Sequence, residues 1–148
     1  MSWMLLAIPR SKLRTVSWVL LAIVGLLTLL ASCVSAQLAY WGTFPVGGVE
    51  IAEIAGDNND LLLGLRGARG TAAGWAAAWS TLFLVVVFGP YRRGDLTAWW
   101  GILASAIVLG VVVALRVPVL GIQAGAVEAL VLLLWVILAL LVDVKRLS

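Results

Sequence analysis

The chain has no histidine and a single cysteine, Cys33, among its 148 residues. Those two scarcities remove the usual ligand sets for zinc, haem and iron–sulfur centres, so no metal and no cofactor is expected. They also remove Cys–His and Ser–His pairs for nucleophilic catalysis, and no disulfide can close within the chain. Charge is scarce as well. Asp, Glu, Lys and Arg make up 11% of residues, against about a quarter in ordinary soluble domains. What is abundant is apolar surface: 64% of residues are hydrophobic and the mean hydropathy is +1.13. A soluble core of this size cannot hide so much. The balance excludes a disordered chain, a disulfide-built secreted domain and a nucleic-acid partner, and it points to the lipid bilayer. The net charge of +3 comes from residues at the ends of apolar segments, where they act as topology signals.

Four long apolar segments stand out: residues 17–36, 71–88, 97–115 and 119–142. Each is close to the ~20 residues that a helix needs to cross the hydrocarbon core. No run of the alternating ~10-residue segments of a membrane barrel is visible. Gly89–Pro90 is expected to end the second helix, and Tyr91 to Asp95 to form a short turn from which Asp95 caps the third. Val117–Pro118 is expected to separate the third helix from the fourth. The connections are too short to hold a further domain. The expectation is a single all-α transmembrane domain over 1–148, a four-helix bundle in up-down order.

Orientation follows from the basic residues. With the N-terminus inside, the inner side carries Arg10, Lys12, Arg14, Arg92, Arg93, Lys145 and Arg146, and the outer side Arg66, Arg69 and Arg116. Seven against three puts both termini in the cytoplasm. Glu50, Glu53, Asp57 and Asp60 then fall in one outer loop, 37–70. That loop has room for a short helix near 49–55, and Asp60 can cap an early start of helix two. Trp18, Trp99 and Trp100 fall near the inner interface, Trp41 and Trp75 near the outer one. Arg10 to Arg14 ahead of an apolar run, with Leu30-Ala31-Ser32-Cys33, also resembles a lipoprotein signal segment. The expectation is a retained first helix.

Glu128 is the acid inside the fourth segment, two to three turns below its outer end. Such a placement costs at least ~2.5 kcal/mol unless the acid is paired, protonated or hydrated. Gly121, Ala124, Gly125 and Glu128 share one helical face, and small residues let a neighbouring backbone come close, so this face is expected to look into the bundle. Arg116, Arg66 and Arg69 reach a similar depth. The expected cluster of Glu128 with Arg116, Arg69 or both has two readings. One is an ion pair that fixes helix register with little net stability. The other is a pocket for a lipid phosphate or a quinone carbonyl, since three arginines outnumber one acid. Gly70, Gly74 and Ala78 repeat every four residues on helix two, with Ala73 and Ala77 beside them. This is a helix-packing face for the bundle itself or for a partner subunit. Thr28, Ser32 and Ser35 on helix one are expected to bond within their own helix. Asp57-Asn58-Asn59-Asp60 is too short for a calcium loop and reads as a capped turn. Cys33, in an apolar helix, is expected to be inert.

Several features line up with a known family. A first helix is followed by Phe44-Pro45 and by Leu65-Arg66-Gly67 opening a Gly/Ala-rich second helix. After a short basic turn, the third helix ends in Arg116, and Gly121 shortly precedes Glu128 in the fourth. The chain resembles the small DoxX-like bacterial four-helix membrane proteins, in an uncharacterised branch. It departs from them in its long outer loop and in Leu120-Gly121, where an Asp-Gly is expected. The resemblance implies a four-helix bundle and no secure activity.

The expected function is that of a non-catalytic accessory or structural subunit of a larger membrane complex, in contact with other subunits or with copies of itself. The alternative is a lipid- or quinone-binding protein using Arg66, Arg69, Arg116 and Glu128. An enzyme or transporter is the weakest reading, with one intramembrane acid and no broken helix. The composition, rich in Ala, Gly, Leu, Val, Arg and Trp, suits a bacterium of high genomic GC content, and the expected location is then the bacterial inner (plasma) membrane.

Overall fold

The computed structural model describes residues 10–120 and 126–144. Helix α1 (Arg10–Trp41) leads to a small antiparallel hairpin, β1 (Pro45–Val46) and β2 (Val49–Glu50). A short helix α2 (Ile51–Ala55) and a long helix α3 (Asn59–Val86) follow. A π-helical turn (Val87–Tyr91) then leads to α4 (Leu96–Leu120) and α5 (Ala126–Val142). Among the described residues, three helical stretches are long and apolar enough to cross a membrane: Leu13–Trp41, Asn59–Tyr91 and Leu96–Leu115. Their flanks bear many exposed large apolar side chains, among them Leu30, Leu82 and Val108. Water would not tolerate that surface, and lipid does.

The boundaries differ from the sequence expectation in instructive ways. Helix α1 overruns the 17–36 segment at both ends, because its flanking Lys, Arg, Leu and Gln residues are good helix formers whether or not lipid surrounds them. Helix α3 does start early, but Asn58 caps it in place of Asp60. The Asn58 Oδ1 accepts from the Leu61 amide at 3.0 Å, which satisfies a first-turn donor. Gly89–Pro90 does not end the helix. It sits in the π-helical turn, whose wider register absorbs the missing proline N–H. Gly94, at φ +97°, then closes the turn with its amide on the Tyr91 carbonyl. Asp95 caps α4, its Oδ1 accepting from the Thr97 amide at 2.8 Å.

Val117–Pro118 does not separate two helices either. Pro118 lies within α4, which runs to Leu120. Of the fourth apolar segment, residues 119–120 belong to α4 and 126–142 to α5, whose apolar stretch Val127–Val142 rises about 24 Å at 1.5 Å per residue. Gly121 and Gly125 fall outside the described residues. The hairpin is a further departure. Gly47 and Gly48, at φ +62° and +88°, supply the two left-handed positions that a tight two-residue hairpin turn demands.

The chain divides into two compact units, Met1–Val24 with Phe83–Ser148, and Gly25–Leu82. In the second unit, Ala39, Phe44 and Ile51 form a buried cluster backed by Leu62 and Leu65, which fastens the hairpin segment to α3. In the first unit, Leu21, Val87, Tyr91, Trp99, Ile102, Val136, Ala139 and Leu140 are buried. There α4 packs along α5, with Gly110 against the Leu133 side chain.

Candidate functional site

The residues with most chemistry in the 25–82 unit are the arginines of α3. Arg66 and Arg69 are three positions apart, so they share a helix face. Both turn toward the last turns of α1. The Arg66 Nη2 donates to the Gly42 carbonyl at 3.1 Å. Gly42 directly follows α1, a helix with no basic residue in its last turn, so Arg66 supplies the cation that the negative end of that helix dipole favours. The Arg69 Nε donates to the Ser35 hydroxyl at 3.1 Å, and its guanidinium lies 4.1 Å from the centre of the Phe44 ring. Two neighbours complete the clasp. Tyr40 leans over Gly70, where an added Cβ would stand 2.6 Å from the ring. Phe44 also belongs to the buried cluster with Ile51.

This arrangement joins two parts of the expected cluster. Arg66 and Arg69 come together. Arg116 and Glu128 belong to the other unit, so the four residues form no single cluster within either one. The side chain of Arg116 lies outside the described residues. Glu128 is exposed, in the first turn of α5, and does not point into packed helices as the spacing suggested.

As a potential anion site, the arginine pair is largely used up by its own chain. The Arg66 Nε is buried with no hydrogen-bond partner, so no ligand reaches that edge without rearrangement. Among the described residues neither guanidinium has a carboxylate partner. The acids of the same unit, Glu50, Glu53, Asp57 and Asp60, are all exposed. The geometry is that of a fastening between the end of α1 and α3.

The small-residue row on α3 splits between two uses. Gly70 serves the chain's own packing beneath Tyr40, and Ala73 is buried. Gly74 and Ala78 are exposed, and nothing stands within 4 Å of where a Gly74 Cβ would be. Gly64, Gly67 and Thr71 are exposed on the same side of the helix, again with open space around both glycines. Trp75, 74% exposed, borders this face. The hydroxyls behave as expected for apolar helices: Ser32 donates to the Thr28 carbonyl at 2.7 Å and Ser80 to the Ala76 carbonyl at 2.6 Å. Ser35 is the departure, since it accepts from Arg69. Cys33 is exposed on α1 with a free thiol.

The other unit contains a polar node that the sequence reading passed over. The fully buried Ser17 hydroxyl donates to the Ala139 carbonyl at 2.7 Å and lies 2.6 Å from the Tyr91 hydroxyl. With its one proton on the carbonyl, Ser17 accepts from Tyr91. Trp99 Nε1 donates to the Leu140 carbonyl at 3.4 Å. Three chain segments that lie far apart in sequence are thereby tied. The available signal was a hydroxyl at the mouth of each apolar run, which needs a partner once buried. No protein-family model, curated protein or solved structure matches this chain.

Proposed function

We propose that this chain is a non-catalytic integral membrane protein that serves as an accessory or structural subunit of a larger membrane assembly. The observation that carries this reading is the open small-residue face of α3, made by Gly67, Thr71, Gly74 and Ala78 beside Trp75. Facing lipid, such a row forgoes the dispersion contacts that Leu or Ile would make. Against a helix, it allows close backbone approach. The rival reading, a lipid or quinone site on Arg66, Arg69, Arg116 and Glu128, is weakened by the fastening role of Arg66 and Arg69 and by the exposure of Glu128.

In this reading the chain is a four-helix transmembrane protein, α5 being the fourth crossing. Both termini are cytoplasmic by the seven-to-three bias of basic residues, and the location is a bacterial inner membrane. Membership of the DoxX-like proteins accords with the order of Phe44-Pro45, Leu65-Arg66-Gly67, Arg116 and Glu128, and it too is part of the proposal. A photo-crosslinking residue placed at position 74 and activated in native membranes tests the role. A discrete adduct with another membrane chain, absent when the probe stands at buried position 73, is the expected result. Adducts to lipid alone at position 74 would overturn it.

A further inference from the structure

Where the three long apolar stretches meet their polar flanks, the unit containing Tyr91 gathers arginines around aromatic rings. The first stretch starts at Leu13, the second ends at Tyr91 and the third starts at Leu96. The Ser17–Tyr91 bond holds the first two of these ends together. Arg14 lies against the turn, its Nη1 3.3 Å from where a Gly94 Cβ would be. The Arg92 guanidinium lies 5.0 Å from the centre of the Trp18 ring, and Trp18 meets Phe88 edge-on at 6.0 Å. Arg93, next to Arg92 in the chain, is exposed.

These contacts fix the cations without consuming their charge. Arg92 is held through its face by a ring, so its N–H edge stays available for an anion. Among the described residues Arg14, Arg92 and Arg93 have no carboxylate partner. The Asp95 Oδ1 accepts from the Thr97 amide at the α4 cap. We propose that this collar of Arg14, Arg92 and Arg93 around Trp18 and Phe88 is a site for the headgroup phosphate of an anionic phospholipid. Charge complementarity selects the headgroup, and the ring pair meets the glycerol–acyl boundary, where Trp is favoured. The inference rests on the chain crossing the membrane and not on its being a subunit of an assembly.

The test uses the full chain purified in mild detergent. Native mass spectrometry and thermal unfolding are followed on addition of phosphatidylglycerol, phosphatidylcholine or inorganic phosphate. Phosphatidylglycerol is expected to be retained as a discrete adduct and to raise the melting temperature, with the other two doing neither. Each of Arg92→Gln and Arg14→Gln is expected to weaken retention about fivefold, as befits about one unit of headgroup attraction per arginine. Equal retention of the two lipids by the unaltered chain would overturn the proposal, and that comparison needs no variant to fold. Protection by inorganic phosphate as strong as by phosphatidylglycerol would make this a free-anion site and overturn it as a lipid site. Resistance of the chain to alkaline extraction from membranes checks the underlying membrane reading separately.

Discussion

Arg66 and Arg69 show how much of a membrane protein's polar chemistry can be spent on holding its own ends. A charge-assisted bond to the Ser35 hydroxyl and a ring contact with Phe44 together predict that Arg69→Ala costs about 2 kcal/mol. A lowered melting temperature in detergent would show it. Arg69→Lys should recover less than half, because an ammonium cannot lie flat on the ring while reaching the hydroxyl. At the Ser17 node, Tyr91→Phe removes one neutral hydrogen bond and should cost about 1 kcal/mol. Ser17→Ala removes two at once and should cost more, by the same melting assay. The sequence identified Arg66 and Arg69 as a pair because two cations beside an apolar segment are conspicuous. It could not show that Gly42 and Ser35 are their partners. A backbone carbonyl and a lone hydroxyl carry no pattern. Glu128 was misplaced because spacing shows which residues share a helix face, not whether that face is the one packed against other helices.

The apolar cores of the helices were legible because runs of Leu, Val and Ala near the membrane-spanning length have few alternatives. Their ends were not, since helix formers outside the lipid extend a helix without changing hydropathy. Helix α3 shows the consequence. Its stretch Asn59–Tyr91 has 33 residues, about 50 Å at 1.5 Å per residue. That exceeds a hydrocarbon core of about 30 Å, so hydropathy alone does not mark where this helix begins or ends. The turn residues were legible as breakers, yet Gly89–Pro90 was absorbed by π-helical register. Val46-Gly47-Gly48-Val49 carried a hairpin signal that the dominance of apolar runs obscured. The two uses of the small-residue row on α3 make a paired prediction. Gly70→Leu displaces Tyr40 and should lower the stability of the isolated chain by several degrees in a detergent melt. Gly74→Leu meets open space and should leave that melt unchanged or slightly raised, since Leu is the better helix former. The same substitution should abolish the position-74 face as a contact in membranes.

At the scale of the whole molecule, three membrane-length apolar helices among the described residues agree with what composition alone implied. The fourth crossing, the orientation and the partner belong to the proposed function. A reporter that is active only in the cytoplasm, fused after Ser148, should be active, and one inserted at Gly47-Gly48 should be silent. The reverse pattern would invert the topology.

The most direct test of the subunit role is the mass of the particle released from native membranes by a mild detergent, with every component identified. The account predicts a fixed stoichiometry of this chain with other membrane chains, or with copies of itself, which Gly74→Leu breaks while the chain still folds. A single chain carrying only lipid, unaffected by Gly74→Leu, would contradict it.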